Sequence, residues 1–393
     1  MAAVELRVEP DGRIWCRPYL GTDRVTGRAI RPYRSWPAGT PLEAAQREAD
    51  EWAAGFAPAA ASGAGKRLGS MLVRWVTDPA RGYSGNTVAT YLSAIRCYIE
   101  PTLGDIPYDG LGAHEVRAAY RELLTDRPGR PAISGRTLTK AHALLRAAYR
   151  DWAGQIGRDP MLDVPPPAVE PAEPFALDEC DQGDLSAALR SAMAPGGTDR
   201  GTVERRTTAF AAYLALNQAL RCGEACAALR RDVRAATGDL HVGATVVERP
   251  RLMRRPYPKR GSVGNVAMAP EVLAEVRRHE AWQDRWLRSP GPRTPLVTYG
   301  ADGALVRPSD LSRRFKALVR ELGLPAETVF HTLRHTHATW LLMHGCDMRT
   351  VQERLRHRDV ATTLRIYGSV MPGRDARAAA AFSSSLTDST KDL

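Results

Sequence analysis

Six polar residues in the second half of the chain follow one another in a set order. Arg221 stands in Leu220-Arg221-Cys222-Gly223-Glu224, and Lys259 in Pro258-Lys259-Arg260-Gly261-Ser262. His331 and Arg334 belong to His331-Thr332-Leu333-Arg334-His335-Thr336; His357 follows, and Tyr367 comes ten residues later. Two arginines, a lysine, two histidines and a tyrosine are the groups with which a phenol can attack a DNA phosphate without a metal. The attack places extra negative charge on the non-bridging oxygens, and planar, multidentate guanidinium groups stabilise it. Arg221 and Arg334 are therefore expected to clamp the phosphate. Lys259, on a strand or hairpin tip, is expected to protonate the leaving 5′-oxygen as general acid. Tyr367 is the expected nucleophile, its oxygen ending as a 3′-phosphotyrosine ester. His331 and His357 are expected to hydrogen-bond the phosphate, and His331 is suited to accept the tyrosine proton. An ester that stores the bond energy lets the step run backwards onto another strand, the logic of recombination rather than hydrolysis. No metal or cofactor is expected.

Taken singly, each residue has a structural explanation. Arg221 and Glu224, three apart on a helix, suit an ordinary ion pair. His331, His335 and His337 suit capping or solvent, and no acidic third ligand at a familiar spacing turns the His331–His335 pair into a zinc motif. Tyr367 suits packing. Lys259 belongs to a basic run with Arg251, Arg254, Arg255 and Arg260 that suits backbone phosphates. Order and spacing together argue for chemistry.

Several elements must position these groups. At 393 residues and 44% hydrophobic content the chain suggests two or three cored domains. Its 55 basic against 44 acidic residues, formally +11, fit a polyanionic partner, although arginine-rich coding accounts for part of the surplus. Lysine occurs only at Lys66, Lys140, Lys259, Lys316 and Lys391. Arginine cannot give up a proton near neutral pH, which favours a special role for Lys259. The six cysteines are scattered, Cys222 and Cys226 lie one turn apart without a second half-site, and free thiols are expected. Without an apolar leader or a membrane-length run, the expected location is cytoplasmic, at the nucleoid when DNA-bound.

Residues 1–60 read as a basic module. Strands at Arg13–Leu20 and Ala29–Trp36 flank a turn at Asp23–Arg28, and a helix runs from Pro41 to about Phe56. The strands interleave arginine with aromatics, which suits either a DNA-reading surface or a structural cap. Ala57–Gly65 reads as a linker. Residues 66–160 read as a helical bundle with helices at Leu68–Trp75, Val88–Ile99, Ala113–Leu124 and Thr137–Trp152. Residues 161–174, built around Pro165-Pro166-Pro167, read as a stiffer linker. Residues 175–393 read as a mixed domain with a polar tail. Its expected helices are Thr207–Leu220, Pro270–Leu287, Ser309–Leu322, Thr332–His344, Met348–His357, Ala361–Tyr367 and Arg374–Phe382, with strands at Asp239–Glu248 and Val263–Met268. The fold class is mainly α with small β-sheets.

These boxes resemble the tyrosine recombinases of the phage or mobile-element integrase type. Ala219-Leu220-Arg221-Cys222-Gly223-Glu224 resembles the first-arginine box, with Glu224 in the place of its supporting acid. Phe330 to Thr339 resembles the histidine–arginine box. Val351 to His357, Thr362-Thr363 and Tyr367-Gly368 resemble the stretch ending in the nucleophile. The likeness is strong over about 205–370 and looser over the bundle, which resembles a core-binding domain, and the N-terminal sheet, which resembles an arm-binding domain. Two positions depart from the pattern. Arg356 stands where the family usually has glycine, altering the local turn or adding a phosphate contact. Gly264 and Asn265 stand where a basic residue is common. The resemblance implies a homotetramer on double-stranded DNA that exchanges strands through a Holliday junction, with a C-terminal tail docking on a neighbour. Excision factors or a host DNA-bending protein are possible further partners, and no membrane is involved. The implied function is integration or excision of a phage or mobile element. The alternatives are a type IB topoisomerase-like strand transferase and a catalytically inactive DNA-binding regulator.

Overall fold

A computed structural model describes residues 4–18, 33–54, 66–169, 175–194, 196–256, 263–357 and 383. Contacts divide the chain into two units, Met1–Glu170 and Pro171–Leu393. The first opens with an antiparallel sheet of β1 (Leu6–Val8), β2 (Ile14–Cys16) and β3 (Arg34–Trp36), in that order, beside helix α1 (Leu42–Ala54). Ile14 and Cys16 alternate inward on β2 and bury with Val4, Trp36, Ala45 and Ala49. The arginine–aromatic interleaving turns partly inward. Trp36 is buried and donates its indole N–H to Glu48 of α1 at 2.9 Å, while the Arg34 guanidinium lies over Trp36 and Trp52. Trp36 thus serves the core of this module. The expected turn at 23–28 and the first half of the second strand fall outside the described residues, as does the expected linker at 57–65.

The bundle follows as α2 (Leu68–Thr77), α3 (Gly85–Ala94), α4 (Glu100–Leu103), α5 (Ala113–Leu123) and α6 (Gly135–Ile156). Ser84 and Ser134 cap α3 and α6, each accepting a backbone N–H from the threonine three residues on. The helix expected over Val88–Ile99 does not run uniformly. A single π turn at Ile95–Ile99 joins α3 to α4, just before Pro101. Proline has no N–H to donate, and the hydrogen-bond ladder changes register ahead of it. Leu72, Ile95, Leu138, Leu144, Leu145 and Tyr149 fill the core, and the Tyr149 hydroxyl donates to the Tyr108 carbonyl at 2.8 Å. Met161 and Val164, at the start of the stretch read as a linker, are buried in this core.

In the second unit α7 (Glu179–Met193), α8 (Arg200–Gln218) and α9 (Cys222–Ala227) precede strands β4 (Val233–Arg234), β5 (Asp239–Val242), β6 (Ala244–Val247), β7 (Met253–Pro256) and β8 (Gly264–Ala267). Helices α10 (Pro270–Gln283), α11 (Pro308–Glu321), α12 (Phe330–Met343) and α13 (Met348–Leu355) complete it. α8 is buried on every face from Arg206 to Leu216, and α7, α11 and α12 pack around it. α7 is absent from the sequence reading, although Asp178 caps it and Leu185, Leu189 and Ala192 mark its buried stripe. The strand expected over Asp239–Glu248 splits at Gly243, where a β-carbon would stand 2.6 Å from Nε2 of His241. β5 therefore joins the antiparallel sheet β4-β5-β8, and β6 forms a separate ribbon with β7. Among the described residues no helix is long and apolar enough to cross a membrane. The expected helices at 361–367 and 374–382 and the tail lie outside the described residues.

Leu145 is fully enclosed in the bundle core. Leu145→Ala should destabilise the bundle by about 2–5 kcal/mol, read in a urea titration of the full chain. A loss below about 1 kcal/mol would mean that this core is not packed as described.

Candidate active site

The site grows from the end of α8. Ala219 takes the left-handed conformation, φ 51°, and closes the helix. That conformation costs a residue with a β-carbon roughly 1–2 kcal/mol, so its surroundings must hold it there. The turn leaves carbonyls pointing away from the helix, and four side chains answer them. His337 contacts the Leu216 carbonyl through Nδ1 at 2.8 Å. Arg354 donates to the Asn217 carbonyl at 3.0 Å, and Arg334 donates to the Ala219 carbonyl. Arg356 reaches the same Ala219 oxygen at 3.5 Å. Cations at the C-terminal end of a helix also meet its negative pole.

Arg221 follows two residues later as the N-cap of α9. Its backbone N–H donates to Oε2 of Glu224 at 3.0 Å and its guanidinium Nη1 to Oε1 at 2.7 Å. Gly223 lets α9 lie against β6, since a β-carbon there would stand 2.4 Å from Oγ1 of Thr245. The Arg221 side chain is 36% exposed and that of Glu224 1%. Burial works against ionisation of Glu224, but Arg356 first, then Arg221 and Arg334, outweigh it and hold the carboxyl below its ordinary pKa. The pair read as an ordinary surface contact is half buried and shared with a second arginine.

α12 carries His331, Arg334, His335 and His337. Arg334 is 1% exposed, with its two terminal nitrogens donating to the carbonyls of Ala219 and Leu355. It therefore joins the end of α8 to the end of α13 besides standing in the site. Truncating it would orphan buried acceptors, so Arg334→Ala threatens the fold as well as cleavage. His331 reaches solvent and meets His335 edge-on, ring centroids 4.5 Å apart. Partial desolvation, then Arg334 and Arg221, lower its pKa. His357 is held down to about 3 by burial and then by Arg334, Arg221, Arg356 and His331. Both imidazoles are thus neutral near pH 7, able to accept a proton or share a hydrogen bond.

α13 ends in a Schellman turn. Arg356 is left-handed, φ 53°; its N–H donates to the Glu353 carbonyl at 2.9 Å and that of His357 to Gln352 at 3.0 Å. This turn fixes His357. The Arg356 side chain is 2% exposed and points inward, donating to Oε2 of Glu224 at 2.8 Å and to the Arg354 carbonyl at 3.1 Å. The structure therefore brings together Arg221, His331, Arg334 and His357. Lys259 and Tyr367 lie outside the described residues. β7, which leads towards Lys259, is tied to the site by Arg254, which donates to the Ala227 carbonyl at 2.8 Å and to Asp232 at 3.1 Å. The sequence reading missed Arg354 as a structural partner, gave His337 a capping or solvated role without naming its partner, and read Arg356 as a turn change or a phosphate ligand.

Residues 198–373 match the phage integrase family. A tyrosine recombinase XerC of Alcanivorax borkumensis is 29% identical over 263 residues, covering 66% of this chain and 76% of that protein. A tyrosine recombinase XerD of Corynebacterium glutamicum is 29% identical over 299 residues, covering 74% and 90%. The solved Tn1549 transposon integrase in complex with transposon right end DNA superimposes with a TM-score of 0.62 at 18% identity, over 77% of this chain and 94% of that one. A lambda integrase dimer bound to a COC′ core site gives 0.54 at 18%, over 92% and 93%. The helix-rich fold with small sheets is the one these structures share.

His337 donates or accepts on both sides, since Nε2 accepts from Nε of Arg354 at 2.8 Å. Burial first, then Arg354, holds its pKa at about 4. A depressed histidine contributes stability that is complete above its unfolded value and lost as pH falls towards the folded one. Parent and His337→Gln should therefore differ in unfolding free energy by about 2 kcal/mol less at pH 5 than at pH 7, from urea titrations. A gap independent of pH would show that this histidine is not held neutral.

Proposed function

We propose that this chain, a tyrosine recombinase and thus a site-specific DNA strand-exchange enzyme, acts as an integrase, joining the attachment site of a phage or mobile element to a chromosomal one. The observation that carries this reading is the convergence of Arg221, His331, Arg334 and His357 on the end of α8, with Glu224 between the cations. Arg221, the more open of the two arginines, meets the scissile phosphate. Arg334 adds positive field from behind and holds the ends of α8 and α13 together. The Tyr367 oxygen attacks phosphorus, the bond to the 5′-oxygen breaks, and Lys259 delivers a proton to that oxygen. The tyrosine proton passes to His331, which is neutral and able to take it. His357 hydrogen-bonds a non-bridging oxygen. The product is a 3′-phosphotyrosine ester, which a free 5′-hydroxyl of another strand reverses.

Residues 1–60 are proposed as an arm-type DNA module, 66–160 as a core-binding domain, and 175–393 as the catalytic domain and tail. The alignment with lambda integrase extends over 92% of this chain, which supports an integrase with a further N-terminal module. A lambda integrase tetramer has been solved bound to a Holliday junction, and a homotetramer on DNA is proposed here. Excision factors or a bending protein complete the proposed partners.

Covalent trapping tests the chemistry. Purified protein is mixed with DNA from a cell carrying the element and denatured with detergent, and the protein-linked strand is sequenced, with Tyr367→Phe alongside. A 3′-linked adduct at one sequence, absent from the variant while DNA binding persists, is expected. Adducts scattered over many sequences would indicate a topoisomerase. Tight specific binding with no adduct, on nicked substrates too, would indicate a regulator.

A further inference from the structure

Two departures from the family pattern meet in space. Arg356 occupies the left-handed position that closes α13, where glycine is the residue without a steric penalty. Its guanidinium reaches Oε2 of Glu224, which also accepts the Arg221 backbone N–H, while Oε1 takes the Arg221 guanidinium, so each carboxylate oxygen serves one guanidinium. Its aliphatic stem passes Gly264 of β8, where a β-carbon would stand 3.4 Å from both Cγ and Cδ, the limit of easy contact. The absent side chain at 264 thus makes room for the added one at 356.

We propose that Arg356 is a positioning residue of the catalytic site: together with the Arg221 backbone N–H it occupies Oε2 of Glu224, so that the Arg221 side chain binds that carboxylate through Nη1 alone and keeps the remainder of its guanidinium for the phosphate. The alternative geometry is a bidentate Arg221–Glu224 pair, which is the preferred form when an arginine has a carboxylate to itself. That pairing would turn Arg221 away from the phosphate. Two functions of Arg356 are separable by substitution. Glycine preserves the left-handed turn that fixes His357 but removes the cation; lysine preserves the cation.

The groups facing Glu224 are Arg221 at the head of α9, Arg356 at the end of α13, and Arg334 and His331 on α12. Of the cations, Arg356 does most to keep this carboxyl ionised. Without it Glu224 takes a proton at higher pH and releases Arg221, so the acid limb of the cleavage rate moves upward.

The inference rests on the integrase reading, and the full-length parent on the trapped DNA site, nicked to make cleavage irreversible, serves as the control. Arg356→Gly and Arg356→Gln are expected to slow adduct formation about tenfold or more while leaving the Kd for that DNA within about threefold of the parent's. Their acid limb should lie at higher pH than the parent's, and Arg356→Lys should recover most of the rate with the limb in place. Should the glycine variant not fold, the glutamine and lysine variants decide the matter between them. Equal rates and superimposable pH profiles in all variants would overturn the positioning role alone. An absence of adduct from the parent would overturn the integrase reading and this inference with it.

Discussion

The C-terminus of α8 presents more carbonyl oxygen than a helix can satisfy, and the side chains that answer it come from α12 and the end of α13. His337 takes Leu216, Arg354 takes Asn217, and Arg334 with Arg356 take Ala219. An orphaned buried carbonyl costs about 1–3 kcal/mol, so each pairing is strongly specified. The pairings also carry function. Arg334 is stapled to the Ala219 and Leu355 carbonyls, which ties the two histidine-bearing segments to the helix that leads into Arg221. The site is precise because its charged groups are the mortar of the surrounding fold.

Charge balance follows from the same arrangement. Arg221, Arg334 and Arg356 surround one buried carboxylate, and a surplus of positive charge remains at the place where a phosphate would sit. Burial first, and then the same surplus, keeps His331 and His357 neutral, since a further proton would be poorly solvated and would add to an already cationic cluster. One carboxylate is enough to make the arginines tolerable to one another and too little to neutralise them, which is the condition an anion-binding site needs.

Much of this was legible from residue types. The boxes around Arg221 and Arg334 carry a spacing that few structural roles require, and the apolar stretch at Thr207–Leu220 announced the central helix. Less legible were features set by backbone geometry. What reads as one strand divides at Gly243 into two that pair in different sheets, and the glycine leaves room there for the His241 ring. Pro101 shifts a helical ladder that periodicity alone extends unbroken. α7 mixes small and acidic residues along its length, so its short buried stripe competes poorly with its polar surface. The strand ending in Trp36 read as either a DNA face or a structural cap, because alternation assigns side chains to faces without saying which face has a helix beside it. Arg356 was visible as a departure, but its inward direction depends on a left-handed turn and an empty position 264 on another element.

The close approach of Arg356 to Gly264 has a historical consequence. Two residues that share one space are epistatic: the tolerance of either depends on what stands at the other. A side chain longer than alanine at 264 would contest the volume that the arginine stem now fills. The glycine leaves the arginine stem unobstructed, whereas a longer side chain would crowd it. A path of single substitutions leading to this arrangement therefore has a favoured order, with the small residue acquired first. Transplanting the arginine alone into a relative with a long side chain at the position of 264 would look like damage to the site, when the fault would lie in separating the pair.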